Sequence, residues 1–343
     1  MPPANTDIAE LLAIAAAGAD GHRARAYASA ARAALTWPEE AAAVVAAGRS
    51  LTELERIGPG LARRVGAWIA DDAAPPEEPP PTRRDFISFA AARALVAGQP
   101  MALRGDLQMH TTYSDGRCSV AEMAEAAASR GYDYVAITDH SKGLAVAGGI
   151  DEATLAQQGR EIDLVNETLA AKGREIRVLR GIEMNIDVAG ATDMDADALG
   201  RLDLVLASCH SALRRKEDQT ARYVAALRNP FVDVIGHPRG RRFNARVGIV
   251  ADWAKVVDVA AQEGKAMEID GFPDRQDLNV DLLRMVATAG GWVSIATDAH
   301  NIEEMRFMEI GLAAALLAGI DPGRILNLLD AGEVKEWAAA HRR

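Results

Sequence analysis

The sequence predicts an α/β protein, a TIM-like (β/α)7 barrel preceded by a small all-α domain with a helix-hairpin-helix. Three observations carry this expectation. From about residue 101 onward, apolar runs of strand length alternate with amphipathic helical stretches, which implies a parallel sheet. Before that, the pattern is helical throughout. Between the two lies AAPPEEPPPTRR (73–84), which holds five of the 14 prolines and cannot close a core. The expected divisions are a helical domain at 1–72, a proline-rich linker with a short helix at 73–100, and the barrel at 101–343.

In the first segment Ile8, Leu11, Leu12 and Ala15 recur at helical spacing, as do Tyr27, Ala30, Ala31 and Ala34. Leu51–Ile69 then reads as two short amphipathic helices flanking Ile57-Gly58-Pro59-Gly60. Gly58 and Gly60 permit a tight turn with positive φ, and their amides at the start of the second helix can face an anion. Such a hairpin grips DNA phosphates without reading sequence; an ordinary helical hairpin has the same spacing. The stretch Asp85–Ala97 reads as one more short helix.

In the barrel the expected strands are Leu103–His110, Tyr134–His140, Ile176–Ile186, Leu202–His210, Val232–His237, Ala266–Gly271 and Trp292–His300. Helical patterns fall at Val120–Arg130, Glu152–Lys172, Thr220–Leu227, Asp252–Glu263 and Asp281–Ala289. Met305–Met308 and Leu312–Leu317 fit helix core. An open doubly wound sheet is the alternative architecture. No GxGxxG or Walker loop follows the first strand, which weakens a nucleotide-cofactor reading.

Composition narrows the function classes. Hydrophobic residues make up 49% and charged residues 25%, an ordinary globular mix. With 49 acids against 38 bases the net charge is −11, so a broadly basic nucleic-acid coat is excluded and any such contact must be local. The two cysteines, Cys118 and Cys209, supply neither a disulfide framework nor a thiolate zinc site, and read as small buried apolar residues in a reducing compartment. Asp7, Glu10 and Asp20 interrupt the first apolar stretch, so neither a signal peptide nor a membrane span is expected, and the location expected is cytoplasmic.

Five of the seven histidines, His110, His140, His210, His237 and His300, fall at the carboxyl end of an expected strand. In a parallel barrel those ends open on one face, where such folds place active sites. Asp106, Asp115, Asp139, Glu183 and Asp298 share the positions. Imidazole and carboxylate suit zinc, manganese and iron, and so many donors exceed the four that one zinc takes. Two or three divalent ions are therefore expected, with Glu183 able to bridge. A cluster of that kind lowers the pKa of water and clamps an in-line phosphoryl displacement, which favours phosphoester hydrolysis. His22 and His341 read as solvated.

GDLQMHTTYSDGRCSVAEMAEAA, YDYVAITDHS, GIEMNI, LDLVLASCHS, VDVIGHP, MEIDGFPDRQDLN and VSIATDAHN, in that order, resemble the PHP (polymerase and histidinol phosphatase) domain, most of all that of bacterial family X DNA polymerases. The resemblance implies a distorted seven-stranded barrel with up to three metals. It implies one ion held by Gln108, His110, Glu183 and Asp298, a second by Glu183, His210 and His237, and a third by Asp115, His140 and His300. The family's first motif is usually His-x-His, whereas this chain has Gln108-Met109-His110, and a glutamine oxygen binds more weakly than imidazole. GHRARAYASAARAALTWPEEAAAVVAAGRSLTELERIGPGLARRVGAWI resembles the amino-terminal DNA-binding domain of the same polymerases. The polymerase core has no counterpart, since only about 30 residues separate head from barrel, far fewer than a palm of domain size needs. Asp193-Met-Asp195 has the spacing of paired aspartates but reads as a solvated turn. The head also has no lysine, the first being Lys142, so a Schiff-base lyase there lacks its nucleophile.

These features imply a metal-dependent phosphoesterase acting on DNA ends, of the 3′-5′ exonuclease, 3′-phosphatase or abasic-site endonuclease type. The alternative is a phosphatase of small phosphomonoesters. Lys142, Arg239 and Arg275 are candidates for orienting phosphate, and Gly58 and Gly60 for holding DNA. Asp270, Asp274 and Asp277 are candidates for shaping the mouth of the site.

Overall fold

The structure, a computed structural model, describes residues 1–340 and 342; His341 lies outside the described residues. It divides into two compact units. The first is Met1–Gly98 with Arg241–Val247 and Pro273–Gln276; the second holds the remainder.

The first unit is helical: α1 (Asn5–Ala17), α2 (Gly21–Ala34), α3 (Ala41–Ala46), α4 (Pro59–Ala70) and α5 (Phe89–Val96). Ile8, Leu12, Tyr27, Trp37 and Val65 form its core. Buried Asn5 joins α1 to the start of α3, donating to the Glu39 carbonyl and accepting from the Ala41 amide, each at 2.9 Å. Only one of the two helices expected around Gly58 is an α-helix. Before the turn, Leu51–Glu53 forms a single 3₁₀ turn. The chain then extends at Leu54 and passes through a left-handed residue at Arg56 (φ 64°), which ends any helix there. Gly58 caps α4 with φ −83°, so the positive φ of this turn belongs to Arg56 and not to the glycines.

The second unit contains seven parallel strands in the order β1-β2-β3-β4-β5-β6-β7: Gly105–Met109, Tyr134–Ile137, Arg177–Asn185, Leu204–Ser208, Val234–Gly236, Ala266–Asp270 and Trp292–Ala296. Consecutive order with every neighbour parallel is the barrel topology; an open doubly wound sheet would reverse direction of winding part-way. The sheet curls until β1 meets β7, where the His110 amide donates to the Ala299 carbonyl at 2.8 Å. Asp106 ties the same seam, accepting from the Thr297 amide and hydroxyl, and burial pushes its carboxyl up to about 7. The intervening helices are α6 (Val120–Ser129), α7 (Glu152–Ala171), α8 (Ala196–Leu199), α9 (Thr220–Leu227), α10 (Trp253–Gln262) and α11 (Val280–Thr288), followed by α12 (Met308–Ala318) and α13 (Ala331–Ala340). Helix starts follow their caps: Ser119 and Glu122 form a capping box on α6, and Asp151 accepts from Thr154 at α7.

The strands are shorter than their apolar runs. β2, β4, β5 and β7 end three, two, one and four residues before His140, His210, His237 and His300, which therefore lie on loops. The Asp193–Asp195 stretch leads into α8 rather than a plain turn. Leu317 is 43% exposed, so the Leu312–Leu317 run is core only in part, and Cys118 is only half-buried whereas Cys209 is buried. No helix among the described residues is long and apolar enough to cross a membrane.

Lys265, just before β6, is 3% exposed, and its ammonium has no hydrogen-bond partner among the described residues. Burial lowers its pKa to about 8, against the pull of Asp233. The unfolded chain thus binds the extra proton between about pH 8 and 10.5, and stability rises with pH across that window. Lys265→Met is expected to raise the melting temperature at pH 7, with the gain shrinking towards pH 10.5. Thermal melts at both pH values measure it, and an unchanged or lower melting point at pH 7 would refute it.

Candidate metal centre

One face of the barrel, beyond the carboxyl ends of the strands, gathers the histidines around Glu183. This carboxylate near the end of β3 is fully buried. Four imidazole nitrogens surround it: His237 Nε2 at 2.7 Å, His140 Nδ1 at 2.8 Å, His210 Nε2 at 3.2 Å and His110 Nε2 at 3.5 Å. Asp298 Oδ1 lies 3.0 Å from His110 Nε2. On the outer side Asp115 Oδ1 is 3.3 Å from His300 Nε2 and 3.5 Å from His140 Nε2. The rings of His140 and His300 stack on that of His110 with centroids 4.3 and 4.4 Å away.

Among the described residues three sets of donor atoms are each compact enough for one ion: His110, Asp115, His140 and His300; His140, Glu183 and His210; His110, Glu183 and Asp298. By distance, then, His110 and His140 are each shared between two sets, and His237 reaches the centre through Glu183. Gln108, buried on β1, lies beside the third set, its amide between Asp298 and Glu268: the nitrogen is 3.5 Å from Asp298 Oδ1, and exchanging the two ends of the amide turns that nitrogen to donate to the Glu268 carboxylate instead.

The electrostatics suit cations. Burial alone would raise the Glu183 carboxyl, yet His140, His210 and His237 hold it well below the ordinary range. Burial likewise opposes protonation of His300, but Asp115 and Asp298 push it up to about 9. His210 goes the other way, lowered by burial. Glu183 Oε1, His110 Nδ1 and His237 Nδ1 are buried without a directed hydrogen bond among the described residues. A pocket of carboxylates and imidazoles with unsatisfied lone pairs fits divalent cations, which take the place of the protons.

The surrounding groups fix the ring tautomers. His300 Nδ1 sits 2.8 Å from the Asp298 carbonyl and His210 Nδ1 3.3 Å from Asn185 Oδ1. These contacts suit an Nδ1–H on each ring and leave Nε2 as the nitrogen that faces the site, free to bind a cation once its own proton is displaced. His237 and Asp298 are held with φ of 25° and 51°, strain of about 1–3 kcal/mol each of the kind kept at functional sites. At Gly116 a β-carbon would overlap the His110 carbonyl, so glycine there lets the Asp115 loop fold against His110.

The other candidates are placed differently. Asp106 and Asp139 are buried outside the three donor sets. Lys142 is committed to Glu152 at 2.7 Å, and half-buried Arg239 donates to Asn279 at 3.1 Å. Arg275 and Asp274 belong to the first unit, as do Gly58 and Gly60, both exposed with open space around them. Glu268 and Asn185 escaped the sequence reading. A glutamate inside the wholly buried run of β6 is the signal that marks Glu268; nothing local marks Asn185.

A parallel (β/α) barrel with imidazoles and carboxylates converging beyond its strand ends defines a metal-site barrel protein. Residues 106–270 match the model of the PHP domain, and the chain carries that domain there. It is 39% identical over 236 residues to the DNA polymerase/3′-5′ exonuclease PolX of Bacillus subtilis, an alignment covering 68% of this chain and 41% of that protein. It is 35% identical over 170 residues to a probable phosphatase of Acetivibrio thermocellus, covering 48% of this chain and 64% of that one. The chain thus spans less than two thirds of either relative. Among solved structures, histidinol phosphate phosphatase of Lactococcus lactis, complexed with zinc, L-histidinol and phosphate, aligns with a TM-score of 0.46 and 17% identity, over 64% of this chain and 95% of that one.

Proposed function

We propose that this protein is a metal-dependent phosphoester hydrolase that acts on DNA ends. The observation that carries the hydrolase reading is the buried Glu183 carboxylate ringed by four imidazoles. The residues assigned to the metals are Gln108, His110, Asp115, His140, Glu183, His210, His237, Asp298 and His300, for two or three ions of zinc, manganese or iron. Bound divalent ions at such a site supply Lewis acidity towards water and the phosphoryl oxygens. The protein's part is to hold the donors rigid: left-handed backbone at His237 and Asp298, and Nδ1 partners for His210 and His300, preset the geometry before substrate arrives. Arg239, two residues past His237, is retained as the group that orients phosphate.

Two features favour DNA ends. The alignment to PolX, whose name includes a 3′-5′ exonuclease, extends over 68% of this chain. In the first unit, Gly58 and Gly60 leave the first turn of α4 open, with exposed Arg63 and Arg64 beside it, a surface suited to phosphate. The second reading, a phosphatase of small phosphomonoesters, draws on the probable-phosphatase relative and the net charge of −11.

The test is to incubate the purified protein with manganese, a 3′-recessed duplex, a 3′-phosphorylated oligonucleotide and a small phosphomonoester, with His210→Ala as control. Shortening or dephosphorylation of DNA, lost in the control, is expected. Phosphate release from the small ester alone would replace the DNA reading with the second one. No release from any substrate would sink both.

A further inference from the structure

We propose that Glu268 is a positioning residue that turns the oxygen of Gln108 towards the metal site. The proposal rests on the metal reading above and goes beyond it in assigning a role to a residue outside the donor sets. Gln108 and Glu268 are both fully buried, on β1 and β6. An amide has one end that can bind a cation and one that cannot: its oxygen carries free lone pairs, while the nitrogen lone pair is delocalised and its hydrogens point outward. Which end faces the site is therefore decisive where glutamine stands at this position. With nitrogen towards Glu268, Gln108 donates to both carboxylate oxygens, at 2.9 Å for Oε2. Its oxygen then lies 3.5 Å from Asp298 Oδ1, on the side of His110 Nε2. In the reverse orientation the amide nitrogen keeps one long contact to Asp298 Oδ1 at 3.5 Å, while the amide oxygen confronts the Glu268 carboxylate in a dry interior, one unsatisfied polar atom at about 1–3 kcal/mol.

The same carboxylate reaches a second ligand. Glu268 Oε2 accepts from the His237 amide at 2.5 Å, the residue with φ 25°. Glu268 thus braces donors on two sides of the centre: Oε2 accepts from both the His237 amide and Gln108, and Oε1 from Gln108 alone. Glu268→Gln separates them with minimal change of shape. If the new amide oxygen stays on the His237 N–H, its NH₂ faces Gln108. Gln108 must then turn its oxygen away from the site and its NH₂ into it. The opposite arrangement sets N–H against N–H at His237.

The experiment is manganese titration with elemental analysis after dialysis, on wild type, Glu268→Gln, Gln108→Met, Gln108→His and the double variant Gln108→His/Glu268→Gln. Circular dichroism checks that each is folded. Glu268→Gln and Gln108→Met are each expected to weaken one ion about 10- to 100-fold. The double variant should recover it, because an imidazole at 108 coordinates without depending on the amide's orientation. Wild-type affinity in Glu268→Gln would overturn the proposal; if that variant misfolds, wild-type affinity in Gln108→Met would do so. Failure of Gln108→His to rescue would also overturn it, by making Glu268 merely structural. A wild type that takes up no manganese, matched by His210→Ala, would instead bring down the metal reading itself, and this proposal with it.

Discussion

Glu183→Gln is expected to strip the protein of metal and to lower phosphoester hydrolysis by at least about 10²–10³-fold, the scale seen when one preorganised electrostatic group leaves an active site. The substitution keeps the shape of the side chain and removes its charge. Among the described residues Glu183 is the carboxylate that meets four imidazoles. Its two oxygens lie within 3.5 Å of ring nitrogens from His110, His140, His210 and His237. Two of the three donor sets include it. Losing a histidine leaves one set, or for His110 and His140 two sets, short by a neutral ligand, whereas losing this carboxylate removes an anion that offsets cations on both of its sides. The burial that would otherwise protonate it is overcome by the imidazoles, so the anion is available for cations at neutral pH. Elemental analysis of the purified variant beside phosphate release checks both halves. Metal content and rate within about twofold of wild type, well inside the tenfold that 1.4 kcal/mol represents, would remove Glu183 from the centre.

Much of this arrangement is legible in the chain because two simple periodicities coincide. Apolar runs such as YVAI and LVLAS, short, rich in β-branched residues and repeated between amphipathic helical stretches, fit strands buried on both faces. The first polar residues after them must emerge at one rim of a parallel barrel. Reading His140 and His210 as neighbours requires nothing more. What stays hidden is whatever depends on a partner distant in sequence. Strand ends are set by the ladder of hydrogen bonds and not by hydropathy, so the run Trp292–His300 stops being strand at Ala296 although Ala299 is still buried. The turn at Leu51–Glu53 has apolar spacing fit for a helix, but Ser50 caps only Thr52 and Arg56 adopts φ 64°. Local backbone choice overrides the pattern there. Asn185 acquires meaning only when the fold sets it beside His210, 25 residues away. Gln108 and Glu268 stand 160 positions apart in the chain, beyond any local rule.

Asp139 shows how far a residue can matter without being a ligand. It precedes His140 and is fully buried, yet its carboxylate points away from the donor sets. Its oxygens accept from five donors: the Thr111 amide (2.8 Å) and hydroxyl (2.6 Å), the Ser114 amide (3.2 Å) and hydroxyl (2.5 Å), and the Gln158 amide (2.6 Å). Four of these belong to the loop that carries Asp115 past His110. With hydrogen bonds worth roughly 1 kcal/mol each, and more to a charged acceptor, Asp139→Ala is expected to cost about 5 kcal/mol. That is a large part of the stability of an ordinary domain. The milder Asp139→Asn keeps one acceptor oxygen but sets an NH₂ against donors, so it should melt between wild type and alanine. It should also loosen the set formed by His110, Asp115, His140 and His300 by freeing the loop. Because every donor atom survives, excess manganese should restore hydrolysis to Asp139→Asn and not to Glu183→Gln. Calorimetry and a metal titration of activity test the two halves separately. An Asp139→Asn protein as stable as wild type, or inactive at saturating manganese, would show that the loop is held by something else or that Asp139 takes part in the chemistry directly.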